Sequence, residues 1–560
     1  MKRFANLWSA RAAAAVLGFL ALAGSAPGQE QPVISARPGE RTARPLPPAS
    51  QGGIRLSLQD AVGLAVANNQ DLYVSVSAAE ATRFSLFQTQ GIFDPLLQAA
   101  ITRSHSETPA SSTLTGALVN KINTTDFSGS LQQLAPTGGL FTLGLTGRNQ
   151  RTNSTFAVVN PSKVGNLTFS FTQPLLRSFG YAQTTWLIRI TRNSRDATYL
   201  DFVRSVQTTV NAVEQAYWDL VYSLQNLEVK KESLRIAQDL NRITRIKIDV
   251  GSLAPIDIYQ TDFGIATAEQ DIITAEGLIG DAQDRLKRLI NFDVGQWSTP
   301  IVPTDQVRGE EVRIDLSDGI KAALTRRPEI VREAYAVDSD RIRYEYWSGQ
   351  ILPSLNLVGS YGAVGLAGDF FSTQLDPTDP TGQKVIRVLQ DSRPFSDAYS
   401  DVFHNRNKNW SIGINLSYPI FNRAARGARG AAKYTWESSK ALLTTTEQNV
   451  VVEVRAAARA IETARRSILA AQKGRELAEK NLDAEKKKFD NGMTTSFQVT
   501  QIQRDLSAAR TNELQALAVY RKALASYHYA IADSLDWKGI RIQGIPETSP
   551  PPAEARAQAR

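Results

Sequence analysis

Residues 203–227 read VRSVQTTVNAVEQAYWDLVYSLQNL, and their apolar positions recur at alternating steps of three and four. This heptad spacing is typical of a helix packed in a coiled coil. The same spacing returns from Ile258 to Leu289, with one lapse at Thr261. Between the two arms, Val250-Gly251-Ser252-Leu253-Ala254-Pro255 contains a glycine and a proline that favour a turn. The stretch predicts a helical hairpin whose first arm, from about 181 to 249, is about 100 Å long.

The chain also contains an internal repeat, which usually reveals the architecture of a fold. Arg55–Val62 resembles Arg313–Ile320, and Asp249-Val250-Gly251 resembles Asp490-Asn491-Gly492. After the second turn, the heptad spacing continues from Val499 to Ala530 and is broken only at Glu513. The repeat predicts two similar hairpins in one helical wall.

Each half also carries segments whose polarity alternates with period two, which indicates β-strands. The clearest are Leu96–Arg103, Asn166–Phe171, Leu355–Tyr361 and Trp410–Tyr418. Strands about ten residues long, with apolar side chains on one face and small or polar side chains on the other, are typical of a membrane β-barrel. Prolines mark the helix–strand junctions, where we expect the membrane interface: Pro95, Pro174, Pro353 and Pro419.

A further hairpin is predicted at Leu131–Leu134 and Leu140–Leu145, around a turn at 136–139. A chain that leaves and returns to one side of a membrane crosses it an even number of times, so the protein has four or six membrane strands. We favour four, with this hairpin extending beyond the membrane. Even the smallest barrels have eight strands, so either number requires several chains to share one barrel.

The periodicities divide the chain into a signal peptide (1–23), a disordered linker (24–53), a first repeat (54–292), a connecting segment (293–313), a second repeat (314–537) and a tail (538–560). The first repeat is predicted to contain a helix over 57–91, strands within 95–174, a long helix over 181–249 and a return helix over 256–292. The second contains the corresponding helix over 315–350, strands within 354–419, a long helix over 424–490 and a return helix over 496–535. We expect the connecting segment and 537–544 to pack around the middle of the long helices.

The N-terminal basic residues and the apolar run 12–23 favour export from the cytoplasm. The chain has no cysteine, so we expect no disulfide, no cysteine-ligated metal and no lipid on an N-terminal cysteine. The net charge of +8 is concentrated in residues 1–53 and 538–560, which disfavours a nucleic-acid surface on the remainder. His105, His404 and His528 lack metal-ligand spacing, and no catalytic motif is present. We therefore expect no enzymatic activity, no bound metal and no cofactor.

The signal peptide, the two halves, the strand-to-helix sequence Gln173-Pro174-Leu175-Leu176 and the turn at Val250-Gly251 together resemble the TolC-type outer-membrane efflux and secretion channels. The resemblance covers about 54–537. It implies an α+β membrane protein with a long antiparallel α-helical coiled-coil barrel, continued by a transmembrane β-barrel that is shared among protomers. It further implies a homotrimer in the lipid of the outer membrane that extends into the periplasm. Its partners would be a periplasmic adaptor and an inner-membrane transporter of RND or ABC type.

The resemblance also implies roles for residues at the two turns. The expected adaptor-docking residues are Val250, Gly251, Ser252, Leu253 and Ala254 in the first turn, and Asn491, Gly492, Met493, Thr494 and Thr495 in the second. Asp257 matches an acidic residue that helps to hold the best-known member of the family closed. Phe489 occupies the position of a tyrosine that helps to lock the same closed state in that member. Gln498 and Gln501 stand where the best-known member has rings of aspartate, and Thr494 replaces a basic residue there. We expect weaker closure and a weaker block by cations, because rings of acid favour cations and neutral amides do not.

Two other functions remain as alternatives. A structural coiled-coil protein of the envelope, without a transport role, explains the heptads but needs no amphipathic strands. A barrel receptor or usher explains the strands but needs no helices of this length. Only a duct uses both, as the passive exit of an efflux pump or a type I secretion system. The residues do not distinguish drugs, metals and polypeptides as cargo.

Overall fold

The computed structural model describes residues 33–35, 44–47, 53–110, 117–306, 314–375, 377–378 and 385–543. The predicted signal peptide, most of the linker and the tail beyond 543 lie outside these residues. None of the described helices is both long enough and apolar enough to cross a membrane.

Each half begins with two helices that meet at a break. In the first half, α1 (Leu58–Asn68) and α2 (Gln70–Gln90) meet at Asn69; in the second, α6 (Leu316–Arg326) and α7 (Pro328–Gly349) meet at Arg327. Asn69 and Arg327 are 258 positions apart, which is the offset of the sequence repeat. Pro328 explains the second break, because the residue before a proline avoids the helical conformation. At the first, the Asn69 side chain caps α2 by accepting a hydrogen bond from the Leu72 amide at 3.1 Å.

Two long helical hairpins follow these helix pairs. After the single turn α3 (Tyr181–Thr184), α4 runs over Trp186–Asp249 and returns as α5 (Asp257–Leu289). In the second half, α9 runs over Arg423–Asp490 and returns as α10 (Ser496–Ala530), which is followed by α11 (Ser534–Trp537). These bounds lie within a few residues of the predicted ones, because sustained heptad spacing identifies long helices well.

The helices form one curved layer with a defined order. In the part nearest the turns, α5 packs against α4, α4 against α10, and α10 against α9; in the other part, the order is α2, α4, α7, α9. The Asn69 side-chain amide donates to the Leu289 carbonyl at 2.9 Å, so α2 begins where α5 ends. Consequently α2 and α5 form one side of the layer, and α9 forms the other.

The long strands form one antiparallel sheet at the opposite end from the turns. Its strands are β3 (Leu96–Pro109), β4 (Val119–Leu134), β5 (Leu140–Thr152), β6 (Val159–Pro174), β8 (Ser354–Leu375) and β10 (Lys408–Ser417). They pair in the order β10-β8-β6-β5-β4-β3, and β9 (Val385–Arg393) pairs with the end of β8 beyond β10. The sheet joins both halves of the chain through β6 and β8.

The preference for four strands is wrong, because β4 and β5 belong to the sheet along their whole length. β4 pairs with β3 from Leu96–Gln132 to Pro109–Val119, and with β5 on its other side. The turn at 135–139 lies on the helix side of the sheet, where the Gly180 amide donates to the Thr137 carbonyl at 3.0 Å. Polar residues in β4 weaken its alternation in the sequence, so only pairing with both neighbours identifies it as a full strand.

The register gives the sheet one apolar and one polar face, since directly paired residues share a face. Large exposed apolar side chains lie together on the first face: Leu97, Ile101, Phe127, Leu131, Leu143, Phe169, Tyr361, Trp410, Ile412, Ile414 and Leu416. The second face carries mostly small polar residues, among them Ser128, Ser130, Thr146, Thr168, Ser360, Ser411 and Asn415. We call them the apolar face and the polar face.

Short strands pack against the middle of α4. β2 (Ile54–Leu56) pairs in parallel with β7 (Ile301–Pro303), and β1 (Val33–Ser35) pairs with β11 (Arg541–Gln543). Ile54, Ile301 and Ile540 lie in the same apolar core as α4 residues 206–221. The expected disorder of 24–53 and 545–560 therefore does not extend to 33–35, whose partner strand is some 500 residues away in sequence and could not be read from local composition.

Candidate functional site

The candidate site consists of the two turns that end the long hairpins, which we call tip 1 (250–256) and tip 2 (491–495). Both have the same backbone geometry. Gly251 and Gly492 have φ of +75° and +74°, a conformation that only glycine adopts readily. In tip 1 the Ser252 amide donates to the Lys247 carbonyl at 2.7 Å; in tip 2 the Met493 amide donates to the Lys488 carbonyl at 2.9 Å. These bonds form a Schellman motif, which satisfies the last carbonyls of α4 and α9.

Most of the predicted docking residues are exposed on the tips. Val250 and Met493 are 69% and 75% exposed, although both are apolar. Ser252, Ala254, Asn491 and Thr495 are exposed as well. Leu253 and Thr494 differ, because both are only half-exposed and face the protein. Leu253 packs on a small apolar core that includes Phe489, and the Thr494 hydroxyl donates to the Glu485 carboxylate at 2.6 Å.

The structure brings two of the four predicted gate residues into contact between the hairpins. Phe489 is 2% exposed and packs with Leu482 and Val499. Asp257 lies at the start of α5, where its carboxylate accepts a hydrogen bond from the buried hydroxyl of Ser496, the first residue of α10, at 3.1 Å. By contrast, Gln498 and Gln501 are exposed on the first turns of α10. The Gln501 amide donates to the Asp505 carboxylate at 3.3 Å.

Lys247 makes a contact between the hairpins that the sequence analysis did not identify. Its ammonium group lies 4.2 Å from the centre of the Phe489 ring. The same group donates to the Phe489 carbonyl and, at 3.3 Å, to the Asp490 carbonyl. A cation at these last carbonyls of α9 is favourable, because the C-terminus of a helix carries partial negative charge. The repeat relates Lys247 to Lys488, but nothing in the sequence shows which hairpin its side chain reaches.

We call the contacts of Lys247 with Phe489, and of Asp257 with Ser496, the tip tether. Both join α4 or α5 of the first hairpin to the second hairpin. Nearby, hydrogen bonding from Thr494 and the adjacent Lys488 lower the pKa of the Glu485 carboxyl. This carboxylate stays ionised at neutral pH and accepts the hydrogen bond from Thr494. Tip 2 is therefore held against the end of α9, the helix that precedes it.

Above the tether, small residues leave a cleft of about 280 Å³ between α4, α5 and α10. Its lining includes Ala237, Gly264, Thr500 and Ser507. A methyl group built on Gly264 would meet the Thr500 methyl carbon at 3.3 Å, so α5 and α10 approach closely there. Besides the packing of α4 on α10, the hairpins thus also meet through α5 and α10 at Gly264, beside the cleft.

The four predicted junction prolines all stand at strand ends on the helix side of the sheet. Pro95 and Pro353 immediately precede β3 and β8, Pro174 is the last residue of β6, and Pro419 follows β10 by two residues. At these positions proline ends the strand pairing without the loss of an internal hydrogen bond.

Comparison with known proteins gives a family match over most of the chain. The outer membrane efflux protein family matches residues 140–291 and 319–526. Nodulation protein T of Rhizobium leguminosarum bv. trifolii is 19% identical over 344 residues, which cover 60% of this chain and 65% of that protein. Toxin and drug export protein A of Aggregatibacter actinomycetemcomitans is 24% identical over 212 residues, or 36% of this chain and 43% of that protein. The chain thus matches less than two thirds of the length of either relative.

Solved structures share the fold at low sequence identity. The CmeC outer membrane channel of Campylobacter jejuni superposes with a TM-score of 0.61 at 16% identity, over 85% of this chain and 86% of that one. The helical layer continued by a strand layer is therefore a known arrangement.

Proposed function

This chain belongs to the outer membrane efflux protein family, and on that premise we propose that it forms the trans-periplasmic exit duct of an efflux pump or a type I secretion system. In this proposal three copies assemble into one channel. Their sheets form a shared barrel in the outer membrane, and their helices form a tube in the periplasm. The duct is passive: it carries cargo that an inner-membrane RND or ABC transporter delivers, and it catalyses no reaction.

One observation carries this proposal: the sheet and the helix layer each end in a free edge on both sides of the protomer. The sheet ends at β3 and β10, whose outer edges have no strand partner among the described residues. On the same two sides the helix layer ends at α5 and α9. Exposed apolar side chains remain on both terminal helices, including Ile273 and Leu278 on α5, and Leu469 and Leu477 on α9. Pairing β3 with β10 and α5 with α9 of the next copy would close both layers in the same operation.

The polarity of the sheet supports a membrane position for the shared barrel. Its apolar face would contact lipid, and its polar face of serine, threonine and asparagine would line a water-filled lumen. A structural coiled-coil protein would need neither face. The open sheet with two chemically distinct faces thus favours the duct over that alternative.

The tips support a role in docking and closure. The exposed apolar residues Val250 and Met493, on rigid Schellman turns, provide a surface for a periplasmic adaptor. The tip tether would hold the hairpins together in the closed state, and an adaptor that separated the two tips would break it. Lys247 would take the part that the resemblance assigns to a basic residue at position 494.

The amides at Gln498 and Gln501 lead us to expect a weak block by cations. Neutral side chains at the aperture offer no charge to a divalent ion, although Asp505 lies one turn further along α10. In planar-bilayer recordings, millimolar divalent cations should reduce the conductance of the native channel much less than that of a Q498D/Q501D variant. Equal block of the two channels would show that the gate lies at other residues.

The proposed function is tested with the purified full-length chain. Light scattering in detergent should give the mass of three copies, and the same sample should conduct ions in a planar bilayer. A monomer that does not conduct, or an oligomer that does not insert into lipid, would overturn the proposal.

A further inference from the structure

The short helix α8 (Phe395–Phe403) occupies an unusual place on the sheet. β9 ends where Arg393 pairs with Gly368, and β10 begins where Lys408 pairs with Ala363. Between these levels the chain leaves the sheet edge and forms α8, which packs on β8 and β6. Here the edge of β8 is satisfied partly by side chains: Arg393 donates to the Leu366 carbonyl at 3.1 Å, and the Asn407 side chain donates to the Val364 carbonyl at 3.1 Å. The Val364 amide in turn donates to the Asn407 carbonyl at 2.8 Å.

A row of glycines holds this helix against the sheet. Gly147, Gly165 and Gly365 lie directly opposite one another on three neighbouring strands. A methyl group built on Gly365 would collide with the Ala398 carbonyl of α8, and one on Gly165 would meet the Tyr399 ring at 3.2 Å. The row therefore forms a groove that only glycine permits, and α8 fits its backbone into it.

The groove lies on the apolar face, at the end of the sheet away from the helices. Gly147 pairs with Phe127, whose ring lies 6.4 Å from Phe395 and 6.1 Å from Tyr399. Between this groove and the long helices, the apolar face carries a band of exposed apolar side chains that includes Trp410 and Ile412. If the helices are periplasmic, α8 lies at the outer-leaflet boundary of that band, where aromatic side chains concentrate in barrels.

α8 also presents an exposed apolar side chain beside a basic cluster. Phe403, at its C-terminal end, is 69% exposed. The buried Asp401 carboxylate accepts from Arg393 and from Arg406, both at 2.8 Å, and Lys163 donates to the Arg393 carbonyl at 3.4 Å. The Lys408 side chain is exposed, and its ammonium group forms no hydrogen bond or ion pair with the described residues. Arg393 also lies 3.8 Å from the Asp397 carboxylate of α8, so its charge is matched by acids. Two exposed cations, Arg406 and Lys408, follow Phe403 at the C-terminal end of the helix.

We propose that α8 is an interfacial helix that binds phosphate-bearing lipid of the outer leaflet, with Phe403 among the acyl chains and with Arg406 and Lys408 at the headgroup phosphates. The inference rests on the proposed function, since it requires the apolar face to contact lipid. Charge complementarity with an anionic headgroup and continuity with the apolar band support lipid as the occupant. The glycine groove fixes the level of α8 along the strands, because its backbone approaches the sheet this closely at the paired glycines.

The first test measures depth in the membrane, and the absence of native cysteine makes single-site labelling possible. Phe403, Ile412 and Thr373 are each replaced by cysteine in the full-length chain, labelled with a fluorophore and reconstituted into vesicles that contain brominated phospholipid. We expect strong quenching at Ile412 from deep bromines, quenching at Phe403 from shallow bromines only, and no lipid quenching at Thr373, which lies on β8 beyond α8.

The three sites separate the possible failures. If Ile412→Cys is not quenched by lipid, the sheet does not lie in the membrane and the proposed function fails. If Ile412→Cys is quenched but Phe403→Cys behaves like Thr373→Cys, only the role of α8 is wrong. A Phe403→Cys label that is shielded from both lipid and an aqueous quencher would show that another protomer covers the helix, which also overturns the proposal.

The second test measures headgroup binding with lipid A, a glycolipid that carries phosphate. Native mass spectrometry of the delipidated full-length protein should show at least several-fold less bound lipid A for an R406Q/K408Q variant. An R455Q/R459Q variant is the matched control, because it removes two exposed cations from the long helix α9. Dephosphorylated lipid A should bind the native protein as weakly as lipid A binds R406Q/K408Q. Equal binding of lipid A by all three proteins would overturn the proposal.

Discussion

At the scale of single residues, the proposed function of the tips rests on a few residues whose contacts in the structure differ. Gly251 and Gly492 are required by backbone conformation alone, since their surroundings are open and a side chain would meet nothing. Lys247 matters for the opposite reason: its role comes from the carbonyls and the ring that its ammonium group reaches. Substitutions at these positions therefore test conformation and contact independently.

The same substitution should have opposite effects at two glycines of the first hairpin. In Gly251→Ala the new side chain disfavours the positive φ and costs about 1 kcal/mol. In Gly277→Ala, within α5 and with open space around it, the helix should gain about 0.5–1 kcal/mol. Hydrogen exchange measured residue by residue should become about fivefold faster at tip 1 in the first variant and slower in α5 in the second. Slower exchange at tip 1 in Gly251→Ala would contradict the conformational argument.

Removal of the Lys247 ammonium should weaken closure of the channel. Lys247→Met loses two charge-assisted bonds to the end of α9 and the contact with Phe489, which together are worth about 1–2 kcal/mol. We expect the open fraction in single-channel recordings to rise about five- to thirtyfold. Lys247→Arg should remain close to the native behaviour.

The matched control for Lys247→Met is Lys487→Met, since Lys487 is exposed and, among the described residues, its ammonium group pairs with Asp483 of its own helix alone, at 2.7 Å. Its loss should leave the open fraction unchanged. Similar opening in both lysine variants would show that general surface charge, and not the tether, governs closure.

At the scale of elements, a buried ion pair joins the segment after α10 to the middle of α4. Glu214 is 2% exposed, and its carboxylate lies 3.1 Å from the Lys538 ammonium. That ammonium also lies 3.9 Å from the centre of the Trp537 ring, which stacks on His528. Burial raises the pKa of Glu214, and the nearby Lys538 only partly opposes this. The folded protein therefore binds the Glu214 proton more tightly than the unfolded chain does.

The raised pKa of Glu214 predicts a pH dependence of stability. As pH rises above about 4.5, the unfolded chain loses the Glu214 proton first, while the folded chain retains it until its higher pKa is passed. The native protein should thus lose stability relative to Glu214→Gln across this interval and keep a constant difference above it. Thermal unfolding of both proteins from pH 4 to pH 8 measures the difference. A native protein that gained stability relative to the variant on raising the pH would show the opposite sign of shift.

At the scale of the whole molecule, the open sides of the helix and strand layers determine the assembly. α2, α5 and β3 lie on one side of the protomer, and α9 and β10 lie on the other. In the proposed trimer the two layers therefore need the same neighbours, so that the barrel and the tube would close together. Six strands from each copy would also make a wider barrel than four, because the diameter grows with strand number.

A charge placed on the open side of α5 should prevent assembly. Ile273 is exposed in the protomer, and burial of an unpaired carboxylate against the next copy would cost about 3 kcal/mol or more. Ile273→Glu should therefore shift the detergent-solubilised protein from trimer to monomer in light scattering. Thr274→Glu, which alters an exposed neighbour on a different part of the helix surface, is the control and should remain trimeric. An unchanged trimer in Ile273→Glu would place the protomer contact elsewhere.

The sequence by itself determined the long hairpins, the repeat and the two turns. These features depend on local periodicity and on glycine conformation, which a single stretch such as 203–227 expresses in full. Ser57 and Asp315 were readable as helix starts for the same reason: a cap acts within three residues.

Only the tertiary structure decided the number of strands, the partner of Lys247, the pairing of 33–35 with 541–543 and the place of α8 on its glycine groove. Each depends on groups that are distant in the chain: β4 needed both neighbouring strands, and Gly147, Gly165 and Gly365 form a groove only when three strands are in register. Periodicity reports which face of a segment is buried, but it does not report what lies against that face.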